Sequence, residues 1–454
     1  MYINNNTISN VIFAKNDTCI CNGTYNEKKC IVKIVNHTED GINAKVIREV
    51  VYLKKYSDKN VVKLYDVFVD DNKTYIFLEK GQYNLLEESI EDKETCINDV
   101  IRGISSVHEN GYVHCDLSLG NIVKFDDCYK IIDFGSCIKN HRINAVFEST
   151  YYISPPEKFI NNNNNINISK IDSWSLGCII YYIKTNKYYV PPMPKKETHE
   201  HLINNNIDCT DESLQKILIY DNKKRNSVIY FAKQFNIFND ANNVKKKQVT
   251  KNIKLFNSKI CSKEINNHDA IIMKLNKYLI NLTSVLNTDL ETLFIVNTLM
   301  KKIKSCSDHD FIFTGFTLYF TILKLTTIYV YNAKTLSSVF KKISGYTFAV
   351  NDILKKTINI LKYFDWDVDV YTPYEKFIKY SKNKHINIFY SFCLSLNSRY
   401  RTNDIIEIVQ RKYMHKNKNI ISEATNNLKK TNNFELLRKY FIEKHSVDIS
   451  NFEL

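Results

Sequence analysis

Two short stretches of the 454-residue chain hold side chains whose types and spacing could do chemistry. Residues 114–121 read HCDLSLGN, and residues 133–135 read DFG, directly after the apolar run Tyr129–Ile132. A carboxylate such as Asp116 can orient an acceptor hydroxyl and take its proton. A carboxamide and a second carboxylate, Asn121 and Asp133, can hold magnesium ions against nucleotide phosphates, because Mg²⁺ prefers hard oxygen ligands. Together these are the groups that phosphoryl transfer requires.

These loops need strands and helices to position them. In the first 80 residues Ile31–Val35 is short and β-branched, which predicts a strand. Ala44–Tyr56 repeats apolar residues at Val46, Ile47, Val50, Val51 and Leu53, the spacing of a helix. Val61–Val69 and Lys73–Leu78 read as two strands joined by a turn at Asp70-Asp71-Asn72. After residue 84 the pattern is mainly helical, and from 268 onward it is helical only. Residues 236–264 are polar and rich in Lys and Asn, the composition of a linker.

The motifs continue in a fixed order. Lys33 lies in the strand-like CIVKIV and Glu49 on the helix that follows; residues 154–157 read SPPE, residues 172–177 read DSWSLG, and Arg225 sits in YDNKKRNS. This succession resembles the eukaryotic protein kinases over roughly residues 10–235. The resemblance implies a bilobal α+β kinase fold that uses ATP and Mg²⁺ to phosphorylate Ser/Thr residues of protein substrates. Asp116 would be the base, Lys33 paired to Glu49 would hold the α- and β-phosphates, and Asn121 and Asp133 would be the metal ligands. Glu157, Asp172 and Arg225 would brace the carboxy-terminal lobe, and Thr150 would hydrogen-bond Asp116.

Within that family GINAKVIREV (41–50), KKYSDKNVVKLYDVF (54–68) and NKTYIFLEKGQYNL (72–85) are similar to the cyclin-dependent group. Leu78 would then be the gatekeeper, with the backbone of Glu79 and Gly81 against adenine. Phe13–Cys21 aligns with the phosphate loop, which makes Phe13, Ala14, Asn16, Cys19 and Cys21 nucleotide-binding positions. Residues 265–395 resemble a cyclin box, in GFTLYFTILK (315–324), in ILKKTINILKYFDWDVDVYTPYEKF (353–377) and in a capping box at Thr288–Glu291. An all-α cyclin-like domain would follow the kinase domain and act as its activator, meeting it within the chain at Ile42, Ile47 and Lys324. The expected domains are 1–235 (lobes of about 1–79 and 80–235), the linker 236–264, the cyclin-like 265–395, and a basic helical tail, 396–454.

Several positions depart from these patterns. Ala14, Asn16 and Cys19 stand where the phosphate loop carries glycines, and Cys115 replaces an Arg that grips an activation-segment phosphate in the family, so the resemblance implies a kinase of non-RD type. Ala145 stands at the usual phosphothreonine, so activity is expected not to need that phosphate. Ser118 replaces a Lys near the γ-phosphate, and Thr357 replaces the Glu companion of Lys324.

Composition sets the boundaries. The net charge is +14, from 63 basic and 49 acidic residues. Residues 1–233 carry 29 basic and 30 acidic side chains, and the remainder 34 and 19. A basic half admits nucleic acid as a partner, but its lysines are scattered through amphipathic helical patterns, which favours a solvated surface. The twelve Cys follow no disulfide or zinc framework, and the polar start MYINNNTISN is no secretory signal. Free thiols and an intracellular, soluble chain are expected, in cytoplasm or nucleus. Phe311–Tyr331 is apolar but interrupted by Lys324, so a buried helix is expected there, with no membrane partner. The A/T-biased composition and the fusion suggest a large DNA virus or a protist parasite as source.

Two other readings attach to the same residues. The glycine-poor loop and Ser118 motivate a catalytically silent scaffold, a pseudokinase that binds partners through its basic half. HCDLSLGN also suits a small-molecule phosphotransferase, against which DFG, SPPE and DSWSLG argue, since they build a platform for peptides.

Overall fold

Alternating apolar residues near the amino terminus form an antiparallel sheet of six strands, β1 (Tyr2–Ile3), β2 (Asn6–Lys15), β3 (Thr18–Tyr25), β4 (Lys28–Asn36), β5 (Leu64–Val69) and β6 (Lys73–Glu79), in the order β1-β2-β3-β4-β6-β5. The computed structural model describes residues 2–3, 6–142, 151–159, 166–204, 211–235, 237, 262–303, 307–327, 331–380, 383–396, 400–412 and 415–451. They belong to two compact units, 1–251 and 252–454. Most of the expected linker lies outside the described residues.

In the first unit the helix α1 (Ala44–Lys55) lies between β4 and β5, capped at its start by the Asn43 side chain, which accepts from the Lys45 N–H. The turn expected at Asp70-Asp71-Asn72 is present, and Asp70 Oδ1 accepts from the amides of Asn72 and Lys73. β5 begins three residues later than its apolar pattern. Val61 instead bridges Ile131, and the Val62 N–H donates to the Ile131 carbonyl at 3.0 Å. Those valines are buried because they tie the sheet to the apolar run Tyr129–Ile132 rather than extend it.

Then come α2 (Lys93–Glu109), the short strands β7 (Tyr112–Val113), β8 (Ile122–Lys124), β9 (Tyr129–Ile131) and β10 (Ile138–Lys139), and helices α3 (Ser169–Thr185), α4 (Lys195–Asn204), α5 (Glu212–Gln215) and α6 (Val228–Gln234). β7 pairs with β10 and β8 with β9. The loops β7–β8 and β9–β10 carry the two chemical motifs, so the two small ladders hold HCDLSLGN and DFG side by side.

The second unit is built of helices: α7 (Ser262–Val285), α8 (Glu291–Met300), α9 (Asp308–Thr326), α10 (Ala333–Ser344), α11 (Val350–Tyr363), α12 (Pro373–Tyr380), α13 (Lys384–Ser395), α14 (Thr402–Gln410), α15 (His415–Lys429) and α16 (Asn432–His445). Helix α9, from Phe311 to Leu325, is almost wholly buried although rich in Thr. Its threonines satisfy their hydroxyls within the helix: Thr317 donates to the Phe313 carbonyl and Thr321 to that of Thr317, each at 2.8 Å. No described helix is long and apolar enough to cross a membrane.

The capping box expected at Thr288–Glu291 is not formed. Leu290 is the N-cap of α8 and makes no side-chain capping bond, while the Thr288 hydroxyl is bonded to that of Tyr319 at 3.1 Å. A buried phenol outcompetes the helix end for that hydroxyl. The basic tail is a further helical layer: Asn433 donates to the Met273 carbonyl on α7, and the Tyr440 hydroxyl to the Thr288 carbonyl.

Candidate active site

The floor of the site is pinned by one buried carboxylate. Asp172, on α3 and fully excluded from solvent, accepts from the backbone amides of His114 (2.7 Å) and Cys115 (2.9 Å). It also faces His108 Nε2 at 2.8 Å. Burial alone would raise its pKa, but His108, His114 and the amides outweigh that and hold it below the ordinary carboxylate value. These bonds hold Cys115 at φ +66°, a left-handed conformation uncommon for a non-glycine residue. Cys115 is buried and its thiol is pushed well up by desolvation, so it is an inert group.

From this anchor the loop projects Asp116. The Asp116 amide donates to His114 Nδ1 at 3.3 Å, and His114 Nε2 lies 3.1 Å from the Ile132 carbonyl. One ring nitrogen therefore accepts and the other donates, which is a neutral imidazole; burial lowers its pKa accordingly. His114 is a structural strut between the two motif loops. Asn121 Nδ2 donates to the Asp116 carbonyl at 2.8 Å, and the Asn121 carbonyl accepts from the Ile132 amide at 3.0 Å. The HCDLSLGN and DFG loops are thus stitched at two points.

Lys33, on β4, meets both acidic partners. Its Nζ is 2.8 Å from Glu49 Oε2 and 3.2 Å from Asp133 Oδ1. Burial would depress the ammonium, but Glu49 and then Asp133 raise its pKa instead, so it stays charged. Burial raises Glu49, against the pull of Lys33 and of a hydrogen bond from the Phe134 backbone. Asp133 resists burial because Lys33 lowers it, and it sits at φ +60°. Its Oδ1 takes the bonds from Lys33 and the Gly135 amide, which leaves Oδ2 of a 43% exposed carboxylate open. Asn121 Oδ1 is likewise left over once its amide nitrogen is engaged. Two open hard oxygens on adjoining loops suit Mg²⁺.

The register of the sheet decides which residues form the roof. Directly paired residues share a face, and neighbours along a strand alternate. Lys33 pairs with Ile20 and Ile76, and Ile31 with Asn22 and Leu78. Leu78 therefore stands on the Lys33 face, as expected of a gatekeeper, and Phe13, opposite Ile20, shares that face. Cys19 and Cys21 do not. They pair with Ile34 and Val32, and pack with Cys30, Tyr75 and Phe77 on the other side. Ala14, opposite Cys19, goes with them. Of the positions expected to line a nucleotide site, these three are therefore displaced by one residue of register to the face away from Lys33, and Ile20 and Asn22 stand on the Lys33 face instead.

Asn16 occupies the β2–β3 turn at φ +50°, a conformation that Asn tolerates in place of glycine. Beyond β6, Gly81 runs against β8. A Cβ there would lie 2.2 Å from Val123 Cγ1 and 3.0 Å from the Lys124 carbonyl, so only glycine lets the hinge lie flat. The Gln82 amide donates to that same carbonyl at 2.8 Å. Glu79 is tied by its side chain to Lys130 on β9 at 2.7 Å, a contact that no local pattern reveals.

In the carboxy-terminal lobe Arg225 is 1% exposed and satisfies all its donors. It forms a fork with Glu157 (2.8 and 2.9 Å), bonds the carbonyls of Lys170, Ile219 and Tyr220, and lies over the Trp174 ring. Thr150 and Ala145 lie outside the described residues. Of the expected docking positions, Ile42 and Ile47 are buried, and Lys324 is 7% exposed with its ammonium 4.5 Å from the Phe320 ring centre.

A family model described as the protein kinase domain matches residues 17–268. Cyclin-dependent kinase 7 of Dictyostelium discoideum is 30% identical over 173 residues, 35% of this chain and 47% of that protein. Serine/threonine-protein kinase plk-2 of Caenorhabditis elegans is 30% identical over 178 residues, 36% and 27% respectively. Dual specificity protein kinase TTK of Mus musculus is 30% identical over 191 residues, 35% and 22%. The chain spans less than half the length of each.

Proposed function

Because this chain belongs to the protein kinase family, with the family match covering more than half its length, we propose that it transfers the γ-phosphate of ATP to serine or threonine hydroxyls of proteins. The observation that carries the reading is the Lys33–Glu49–Asp133 constellation set beside Asp116 and Asn121. Asp116 orients the acceptor hydroxyl and takes its proton. Lys33, kept charged by its two carboxylates, holds the phosphates, while the backbone at Glu79 and Gly81 receives the adenine. Asn121 Oδ1 and Asp133 Oδ2 would hold Mg²⁺, which neutralises charge on the phosphates. The test is Mg²⁺-dependent label transfer from γ-labelled ATP to a generic protein substrate, followed by phosphoamino-acid analysis. Phosphoserine or phosphothreonine supports the reading; label confined to phosphotyrosine, or none, overturns it.

The roof supports a second reading, a silent scaffold. The β2–β3 turn is made of Asn16 and Asp17, with no glycine to bring backbone amides close to phosphates. Calorimetry showing no Mg-ATP binding by the full chain would favour it. The activator role for residues 265–395 rests on sequence resemblance alone.

A further inference from the structure

We propose that Cys19 and Cys21 are a redox modification site on the roof: a pair of thiols that a hydroperoxide converts to a Cys19–Cys21 disulfide. Its effect on the nucleotide rests on the kinase reading; its formation does not. The two residues stand two apart on β3 and so share a face, where their sulfurs meet at 3.6 Å. Among the cysteines of the described residues, Cys19 is the one that is not buried. An oxidant therefore reaches Cys19 first. Cys21 is 2% exposed, in a cluster with Ile8, Cys30, Val32, Tyr75 and Phe77. Desolvation, and then Cys19 beside it, push the Cys21 thiol up to about 11, so it stays protonated until Cys19 has reacted.

The chemistry takes two steps and two electrons. The Cys19 sulfur attacks one oxygen of the peroxide, the O–O bond breaks, and the other oxygen leaves as water with the thiol proton. Cys19 is then a sulfenic acid. The Cys21 sulfur attacks the Cys19 sulfur, the S–O bond breaks, and the hydroxyl leaves as a second water with the Cys21 proton. Both thiols are oxidised together and the peroxide is reduced to water.

The bond would be felt on the other face of the strand. Residues two apart in an extended strand have Cα atoms about 6.6–6.8 Å apart, the upper end of the span of about 4.4–6.8 Å that a disulfide bridges. Closing the bond draws Cys19 and Cys21 together and buckles β3 at the residue between them, Ile20. Ile20 is paired directly with Lys33. The ladder to β2 already gives at this point: Val11 pairs with Cys21 and Phe13 with Ile20, which leaves Ile12 as an extra residue in β2. Val11, Ile12 and Phe13 are each more than half exposed, so they follow the bend at little cost in packing.

The experiment treats the full chain with hydrogen peroxide, alkylates the remaining thiols under denaturing conditions and weighs the tryptic peptide 16–28, which holds both cysteines. The expected peptide has lost two hydrogens, carries no alkyl group and is restored by dithiothreitol; Cys19→Ser and Cys21→Ala should not give it. Two alkylated cysteines, Cys19 carried on to sulfinic acid, or Cys19 linked to a cysteine outside the peptide would overturn the site. This readout needs no activity, so the disulfide in a chain that transfers no phosphate leaves the site standing and removes the kinase reading alone. In an active chain, KM for ATP should rise about tenfold on oxidation, the scale of lifting one large apolar side chain off a ligand, and return on reduction. Cys19→Ser should hold within about twofold in both states. A disulfide with unchanged KM would overturn the link to the nucleotide.

Discussion

The floor and the roof of the site are built by different means, and they were legible to different degrees. On the floor, the candidate groups are side chains on loops, and a single buried carboxylate, Asp172, fixes the loop from the backbone side. Motif spacing is then enough to locate Asp116, Asn121 and Asp133. In the roof, a candidate role depends on which face of a strand a residue occupies and on what a turn does with its amides. One residue of register moves every side chain to the other face, and nothing in FAKNDTCIC announces that register.

Substitutions can sharpen that contrast. The largest effect is expected on the floor: Asp116→Asn should lower kcat by about three orders of magnitude, near the middle of the range for removing a general base, with Mg-ATP binding by calorimetry unchanged. Next is Arg225→Leu, which strands Glu157 in the interior. It should cost about 3–5 kcal/mol of unfolding free energy, measured by denaturant titration.

The roof should respond more weakly and only on one face. Ile20→Asp should raise KM for ATP about tenfold by placing a charge opposite Lys33 on the nucleotide side, as one pair of charges in a partly solvated site would. Cys19→Ser, on the far face, should leave KM within about twofold. The reverse result would restore the original alignment of the loop. Asn16→Gly should lower KM only slightly, by less than about twofold, because Asn already holds the left-handed turn.

A pH titration separates the second unit from the first. His445, at the end of α16 against the His385 ring, is lowered from 6.5 to about 4 by burial, then by repulsion from His385, while Asp289 opposes and Lys444 and Lys384 add to the shift. The ring is neutral when folded and takes up a proton more readily when unfolded. Its contribution is intact above pH 6.5 and is lost as the pH falls toward 4. Melting curves of the chain and of His445→Gln should therefore converge toward pH 4 as the wild type loses its advantage.

The coarse fold was readable because patterns repeat over many residues. The strand around Lys33 and the helix of Glu49 appear as β4 and α1, and the apolar run from Phe311 appears as buried helix α9. What was hidden depends on long-range pairing. Val61 and Val62 look like strand but bind Ile131 across the hinge, and Thr288 looks like a cap but serves Tyr319. The Glu79–Lys130 pair could not be found by spacing either, since its partners lie more than 50 residues apart in sequence.

The most direct measurement of the central claim sets transfer against binding in the same chain. Label from γ-labelled ATP should reach serine or threonine in the wild-type protein, fall about a thousandfold in Asp116→Asn, and do so while calorimetry still shows Mg-ATP bound to both. Equal transfer by the wild type and Asp116→Asn would contradict the role given to the floor, and with it the assignment of this site.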